Sequence, residues 1–235
     1  MQPSDSEDRT TLVVGYYASL SMSVLILISF AIAILTPPIS GELCQEGCVS
    51  YPYLDIADRF PRDYYWMFPA MLATLLYVLF VVSLHTLARP PRRVFSLLGV
   101  VFAAMAAAVL VGDYFVQVAV IQPSIVGGEA DGISLLTQYN PHGLFIALEE
   151  LGYLLISLSL LCLAPALAGT NRLECIVRWL FVAGWAINVI ALAWISLTRG
   201  LDRGYLFEIV AITVVWLVLI ASGFLMAASF RRSLA

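Results

Sequence analysis

The chain has 235 residues, of which 61% are hydrophobic and only 12% are charged, and its mean hydropathy is +0.93. A soluble domain rarely tolerates so apolar a composition, so we place the chain among membrane proteins. The sequence contains no lysine, which excludes a retinal Schiff base, a pyridoxal aldimine and a Walker-type phosphate loop. The net charge of -4 and the lack of a basic face argue against a nucleic-acid partner.

Six apolar stretches are long enough to cross a bilayer, whose hydrocarbon core takes about 20 helical residues. They lie at about residues 11–35, 66–88, 94–121, 144–168, 179–197 and 206–230. The sequence therefore predicts an all-α fold, a polytopic bundle of six transmembrane helices that forms a single membrane domain over residues 1–235. Two long connections, 36–65 and 122–143, are expected on the same side of the bilayer.

The arginine distribution predicts the orientation, because cytoplasmic loops carry an excess of basic residues. With six spans, eight arginines fall on one side and four on the other. The larger group consists of Arg9, Arg89, Arg92, Arg93, Arg172, Arg178, Arg231 and Arg232, and the smaller of Arg59, Arg62, Arg199 and Arg203. We therefore expect a protein of the cytoplasmic membrane with both termini in the cytoplasm and both long loops outside.

The four cysteines fall into two classes. Cys44 and Cys48 lie in the first outer loop, where an extracytoplasmic environment permits a disulfide, and we predict that they are bonded. Their C-x-x-x-C spacing differs from the C-x-x-C of thiol redox enzymes, so a catalytic dithiol is the weaker alternative. Cys162 in the fourth span and Cys175 in a cytoplasmic connection are expected to be free thiols.

Four acidic residues fall inside the predicted spans, where a charge at mid-membrane costs about 3 kcal/mol on insertion scales. They are Asp113, Glu149, Glu150 and Glu208. The helical rise puts the first three in the outer half of the bilayer, whereas Glu208 is expected at the level of the headgroups. Buried acids of this kind face a bundle interior and have partners, so they indicate either a site or a structural network.

Helical spacing brings further polar side chains to these acids, since Gln117 lies one turn from Asp113 and Tyr153 one turn from Glu149. We predict a ligand-binding or ion-binding site in an outward-facing cavity. Its predicted residues are Asp113, Gln117, Glu149, Glu150, Tyr153 and His142. In the alternative that stays open, the same carboxyl groups are neutral, or bind Arg59, Arg62 or tyrosine hydroxyls, and only fix helix packing.

Histidine positions argue against metal and haem sites. His85 is predicted near the cytoplasmic end of the second helix and His142 near the outer surface, so most of a layer about 30 Å thick separates them. They cannot ligate one haem, and they lack the close-spaced partners of a zinc site. We expect neither a metal nor another cofactor.

One short motif resembles that of a hydrolase family. Gly112 and Asp113 match two residues of the Gly-x-Gly-Asp motif of intramembrane aspartyl proteases, but Leu110 stands where the first glycine belongs. No second intramembrane aspartate completes the acid and base pair. Intramembrane hydrolysis is therefore the least favoured function, and we assign no catalytic residue.

Two other functions stand ahead of hydrolysis. The first is binding or transport of a small polar solute, cation or proton through the carboxylate-lined cavity. The second is a non-catalytic scaffold or accessory subunit of a membrane complex, which would contact a protein partner as well as the lipid bilayer. Gly99, Ala103 and Ala107 recur every four residues in the third span, and such a stripe allows close helix contact, within the chain or with a partner.

Overall fold

The computed structural model describes residues 3–36, 38–167 and 172–234, and this part of the chain is helical without any strand. Six long helices form the bundle. They are α1 (Pro3–Leu35), α2 (Met67–Thr86), α3 (Arg93–Val116), α4 (Leu144–Leu163), α5 (Arg172–Arg199) and α6 (Leu206–Leu234). Each lies in a helical stretch long and apolar enough to cross a membrane, which confirms the predicted all-α fold with six such helices.

Helix bounds differ from the predicted ones mainly where polar residues continue a helix. Helix α1 begins at Pro3 instead of residue 11, and α5 begins at Arg172 instead of residue 179. Hydropathy detects only the apolar part of each, because a helix extends into water without cost to its backbone hydrogen bonds. Helix α4 ends at Leu163, shortly before Pro165, which cannot donate a helical hydrogen bond.

Some predicted segments include residues outside the described ranges. Pro37 of the first long loop and Ala168 at the predicted end of the fourth span are two of them. The others are the first two residues of the chain, the connection 169–171 and Ala235.

The third membrane helix continues beyond its predicted end. A π-helical turn, Gln117–Ile121, follows α3 and leads into a short α-helix, Gln122–Gly127. The wider turn precedes Pro123, whose missing N–H breaks the regular helical ladder. Gly128 then ends the helix at φ +75°, a left-handed conformation that suits glycine. The second long loop therefore begins six residues later than predicted.

The six helices pack in chain order around a ring. Each helix contacts the next, and α6 closes the ring against α1. Helix α4 also reaches across to α6, so it is the most enclosed helix of the bundle. Helix α5 is the least enclosed, because its contacts are confined to α4 and α6 and much of its apolar surface faces outward.

The glycine and alanine stripe of α3 lies in an intramolecular interface. Gly99, Ala103 and Ala107 are all buried, and the Ser159 hydroxyl of α4 donates a 2.7 Å hydrogen bond to the Gly99 carbonyl. A Cβ at Gly99 would lie 2.9 Å from the Leu163 side chain, which sits directly above it. The stripe therefore holds α3 against α4, and this surface is closed to a partner protein.

The two long loops lie together at the end of the bundle where α2, α4 and α6 begin. The first loop contains two single-turn 3-10 helices, Ala57–Arg59 and Arg62–Tyr64, and a disulfide joins Cys44 to Cys48, as predicted. The second loop contains a four-residue helix, Ile133–Leu136. Cys162 and Cys175 are free thiols.

Candidate functional site

A cavity of about 400 Å³ lies at the loop end of the bundle. Its walls come from the last turns of α1, the first long loop, residues 138–139 and the first turns of α4 and α6. Most of the lining is apolar, with Phe30, Ile212 and Trp216 at its deeper part and three acidic side chains on its walls. The three acids are Asp63, Glu149 and Glu208.

Glu149 is the most enclosed of these acids. The residue is 0% exposed and lies in the second turn of α4, facing the cavity. Its Oε1 accepts a 2.6 Å hydrogen bond from the Tyr114 hydroxyl, which lies 2.8 Å from the hydroxyl of Tyr153. Within the described part of the chain, Glu149 Oε2 has no hydrogen-bond partner. One oxygen is therefore held by α3, and the other receives no hydrogen bond from a donor side chain of the described residues.

Glu208 approaches Glu149 from the first turn of α6, and the two carboxyl groups interact directly. Two carboxylates in such a place repel each other, so the pair is stable only with a shared proton or with a cation between them. The sequence led us to expect Glu208 at headgroup level and outside the site. Its position on the cavity depends on the contact between α4 and α6, which hydropathy does not reveal.

Asp63 forms the third acidic group, beside the start of α2. Its Oδ1 accepts a 2.6 Å bond from Arg62 Nε and its Oδ2 a 3.2 Å bond from the Tyr139 hydroxyl. Burial, followed by the nearby Tyr64 and Asp63, raises the pKa of Tyr139, so its hydroxyl keeps its proton and remains a donor. Asp63 is thus already paired, which leaves Glu149 and Glu208 as the acids available to a ligand.

A tyrosine and a serine close the cavity toward the loops. The Tyr205 hydroxyl lies 2.7 Å from Ser40 Oγ and donates to the Gln138 carbonyl at 3.3 Å. Burial raises the pKa of Tyr205, so this hydroxyl also stays protonated. These contacts join the first loop, the second loop and the start of α6 above the acids.

Glu150 does not share the cavity with its neighbour. Its Oε2 accepts a 2.7 Å hydrogen bond from Arg203 Nη2 in the turn before α6. Adjacent residues point about 100° apart on a helix, so Glu149 faces the cavity while Glu150 faces the turn between α5 and α6. Glu150 therefore ties α4 to that turn.

Asp113 and Gln117 lie on α3 and at its end, away from the cavity lining. Asp113 is buried close enough to Glu149 for their charges to interact, and its Oδ2 has no hydrogen-bond partner among the described residues. Gln117 donates to the Leu136 carbonyl at 2.7 Å and accepts from the Gln138 N–H at 3.0 Å. Gln117 thus fixes the second long loop by its backbone, at the π-helical turn.

The remaining predicted residues occupy two different places. His142 is exposed, and its Nε2 lies 3.0 Å from Asp202 Oδ1 on the outer surface of the loops. Tyr153 lies below Glu149, with its ring against Trp216 and its hydroxyl against Tyr114. Of the six predicted residues, the structure thus brings only Glu149 to the cavity wall, and Tyr153 is linked to it through the Tyr114 hydroxyl.

Sequence reasoning missed several residues of the cavity. Asp63 and Tyr139 lie in loops, where no helical period indicates their direction, although their aromatic surroundings favour an ordered loop. The missed lining residues with polar groups are Thr36, Ser40, Asp63, Trp66, Gln138, Tyr139, Tyr205, Glu208, Thr213 and Trp216.

The two acids of the cavity can accept hydrogen bonds from a ligand. Within the described ranges, no three side chains of His, Cys, Asp or Glu are grouped closely enough to hold a metal ion. A carboxyl pair in a largely apolar cavity accepts hydrogen bonds and balances positive charge, and it repels anions. Comparison with protein-family models, with curated proteins and with solved structures gave no match to this chain.

Proposed function

We propose that the protein is an integral protein of the cytoplasmic membrane, with both termini in the cytoplasm and the cavity facing outward. The six apolar helices support insertion. The orientation rests on the excess of arginines, eight against four, at the end of the bundle opposite the long loops. The Cys44–Cys48 disulfide is consistent with this orientation, because such bonds persist in oxidising compartments.

In this membrane protein the cavity binds a small polar molecule or cation that donates hydrogen bonds to Glu149 and Glu208. The observation that carries the proposal is the acid pair on the cavity wall, in which Glu149 Oε2 is buried, receives no hydrogen bond from a donor group of the described residues and lies in a carboxyl group that contacts that of Glu208. An unsatisfied buried carboxyl oxygen costs about 1–3 kcal/mol or more, so proteins keep one mainly where a ligand or ion completes it. Transport is the extension of binding in which the ligand also leaves toward the cytoplasm.

Carbodiimide labelling in reconstituted vesicles tests this function. Dicyclohexylcarbodiimide reacts with protonated carboxyl groups in apolar surroundings, and peptide mass spectrometry reads the adduct at Glu149. We expect propylammonium chloride to suppress the adduct by about tenfold or more, since a hydrogen bond to a charged group contributes roughly 1.5–3 kcal/mol. Sodium chloride at equal ionic strength is the comparison salt, because the sodium ion carries a positive charge but donates no hydrogen bond. Protection by propylammonium alone would show that the ligand must be a hydrogen-bond donor.

Two variants supply the comparison. Glu208→Gln removes the second carboxyl and should weaken the protection, because the ammonium then contacts one charged partner instead of two. Glu129→Gln alters an exposed loop acid bound only to Ser124 and should leave protection unchanged. Equal labelling of Glu149 with and without both salts would contradict the proposed function.

The scaffold function is supported by a different surface. The outward face of α5 carries large exposed apolar residues, among them Trp179, Trp194 and Leu197, and this helix is the least enclosed of the six. A partner helix or lipid would cover that face. Gentle-detergent purification that yields only a monomer would count against a scaffold. Hydrolysis gains no support, because Asp113 is not on the cavity wall beside Glu149.

A further inference from the structure

Two residues that line the cavity are also exposed on the side of the bundle. Ile34 near the end of α1 and Ile209 near the start of α6 both line it, and they are 67% and 41% exposed. Both side chains belong to helices that are apolar enough to span a membrane. In a bilayer, this gap between α1 and α6 faces lipid close to the headgroup boundary.

Polar and apolar groups are separated along the depth of the cavity. From Tyr205 to Trp216 the lining follows α6 for about 16 Å at 1.5 Å per residue. The carboxyls and most hydroxyls lie toward the loops, and Glu149 is about 8 Å below the start of α4 by the same measure. Farther along α6 the lining consists of Ile212, Trp216 and one hydroxyl, that of Thr213, and Phe30 of α1 adds a further apolar side chain. A ligand that fills this space has one polar end and one hydrocarbon end.

We propose that the ligand is a membrane-dissolved amphiphile with a single hydrocarbon chain and an uncharged or cationic polar end that donates N–H or O–H hydrogen bonds to Glu149 and Glu208. It enters from the bilayer between α1 and α6. This inference rests on the proposed function and adds the ligand class and its route. An anionic polar end is disfavoured by Glu149 and Glu208 on the wall, and the volume is that of a site for a drug-sized molecule, not for a whole phospholipid.

Photocrosslinking of the full chain in phosphatidylcholine vesicles tests the ligand class. The probe is dodecylamine with a diazirine at the end of its chain, and the adducts are mapped by peptide mass spectrometry. We expect adducts in the α6 segment 212–216 and near Phe30. Excess dodecylamine should compete them away, whereas dodecanoate at the same concentration should not.

Substitutions at the side opening test the route. Ile34→Trp narrows the gap and should lower the adduct yield at residues 212–216 by about tenfold, the effect of an overpacked contact. Leu35→Trp places the same ring on the next residue, which is exposed but does not line the cavity, and should leave the yield unchanged.

The outcomes separate this inference from the proposed function. Suppose that propylammonium protects Glu149 from carbodiimide but the diazirine adducts lie only on the outer face of the bundle. The proposal of an amphiphilic ligand is then wrong, and the proposed site for a small polar ligand stands. If propylammonium gives no protection and the adducts lie outside, both fail. Equal competition by dodecanoate, or equal yields in the two tryptophan variants, would also overturn the inference.

Discussion

The two ends of the bundle are built by opposite means. At the end away from the long loops, small residues bring helices into direct contact, as where Gly15 of α1 meets the Phe230 ring of α6. At the loop end, the same two helices flank a cavity, and polar side chains from α3, α4 and the loops form hydrogen bonds around it. Close packing therefore stabilises one end, and a hydrogen-bonded network with an open centre forms the other.

The difference follows from the physics of helices in a membrane. Lipid tails are as apolar as leucine, so helix association depends on van der Waals contact and interhelical hydrogen bonds instead of hydrophobic burial. Small residues allow close van der Waals contact between helices. Ser23 of α1 makes both kinds of interaction, because its side chain lies against Gly223 and its hydroxyl donates to the Leu219 carbonyl at 3.3 Å. A cavity forfeits such contacts, so its presence beside buried acids favours a binding role.

The largest expected effect concerns which side of the membrane each end faces. Cys175 is an exposed free thiol near the start of α5, at the end away from the long loops. In the Cys162→Ser variant, a membrane-impermeant maleimide should label Cys175 in inside-out vesicles and not in right-side-out ones. This all-or-none difference follows from the proposed cytoplasmic location of that end. Labelling in right-side-out vesicles alone would reverse the orientation.

The close packing of α6 against α1 should be sensitive to a single added carbon. A Cβ at Gly223 would collide with the Ser23 side chain and lie 2.8 Å from the Ser19 carbonyl oxygen, which cannot move without its helix. We expect Gly223→Ala to lower the free energy of unfolding by about 1–3 kcal/mol, the usual cost of overpacking. Thermal denaturation in detergent measures this loss.

A matched substitution in α3 should behave in the opposite way. Gly112 has no neighbouring atom within 4 Å of an added Cβ, and it lies inside a helical stretch that continues past α3 to Gly127. Gly112→Ala should leave stability unchanged or raise it by roughly 0.5–1 kcal/mol, since alanine is the better helix former. Similar destabilisation by both alanines would mean that contact at Gly223 is not what holds α6 against α1.

The number of long helices and the end that holds the polar groups could be predicted from the sequence, because apolar length and arginine position are local features. The residues that line the cavity could not. Glu149 and Glu150 look equivalent in sequence, yet Arg203 binds Glu150, whereas Glu149 lines the cavity. That distinction depends on how the turn before α6 meets α4, which is a tertiary contact.

The ends of helices showed a similar limit. Asn140 and Pro141 have the chemistry of a helix start, and Asn140 Oδ1 does accept a hydrogen bond from the His142 N–H at 2.9 Å. Helix α4 begins at Leu144, the start that its apolar length predicts, with Gly143 at its N-cap, and Asn140 makes a turn in which Gly143 N–H donates to the Asn140 carbonyl. Asparagine satisfies a turn and a helix cap with the same side chain, so tertiary context decides between them.

The smallest expected effect sharpens the contrast between the cavity and the outer surface of the loops. His142 was predicted to belong to the site, but its ring contacts Asp202 on the exposed surface. Because an exposed ion pair contributes at most about 1 kcal/mol, His142→Ala should change the melting temperature little. Protection of Glu149 by propylammonium should stay at the wild-type level, because the cavity lies below Tyr205 and Gln138, between the helices. If the alanine variant lost that protection, the polar end of the ligand would extend through the loops to the surface, and the site would be larger than the carboxyl pair.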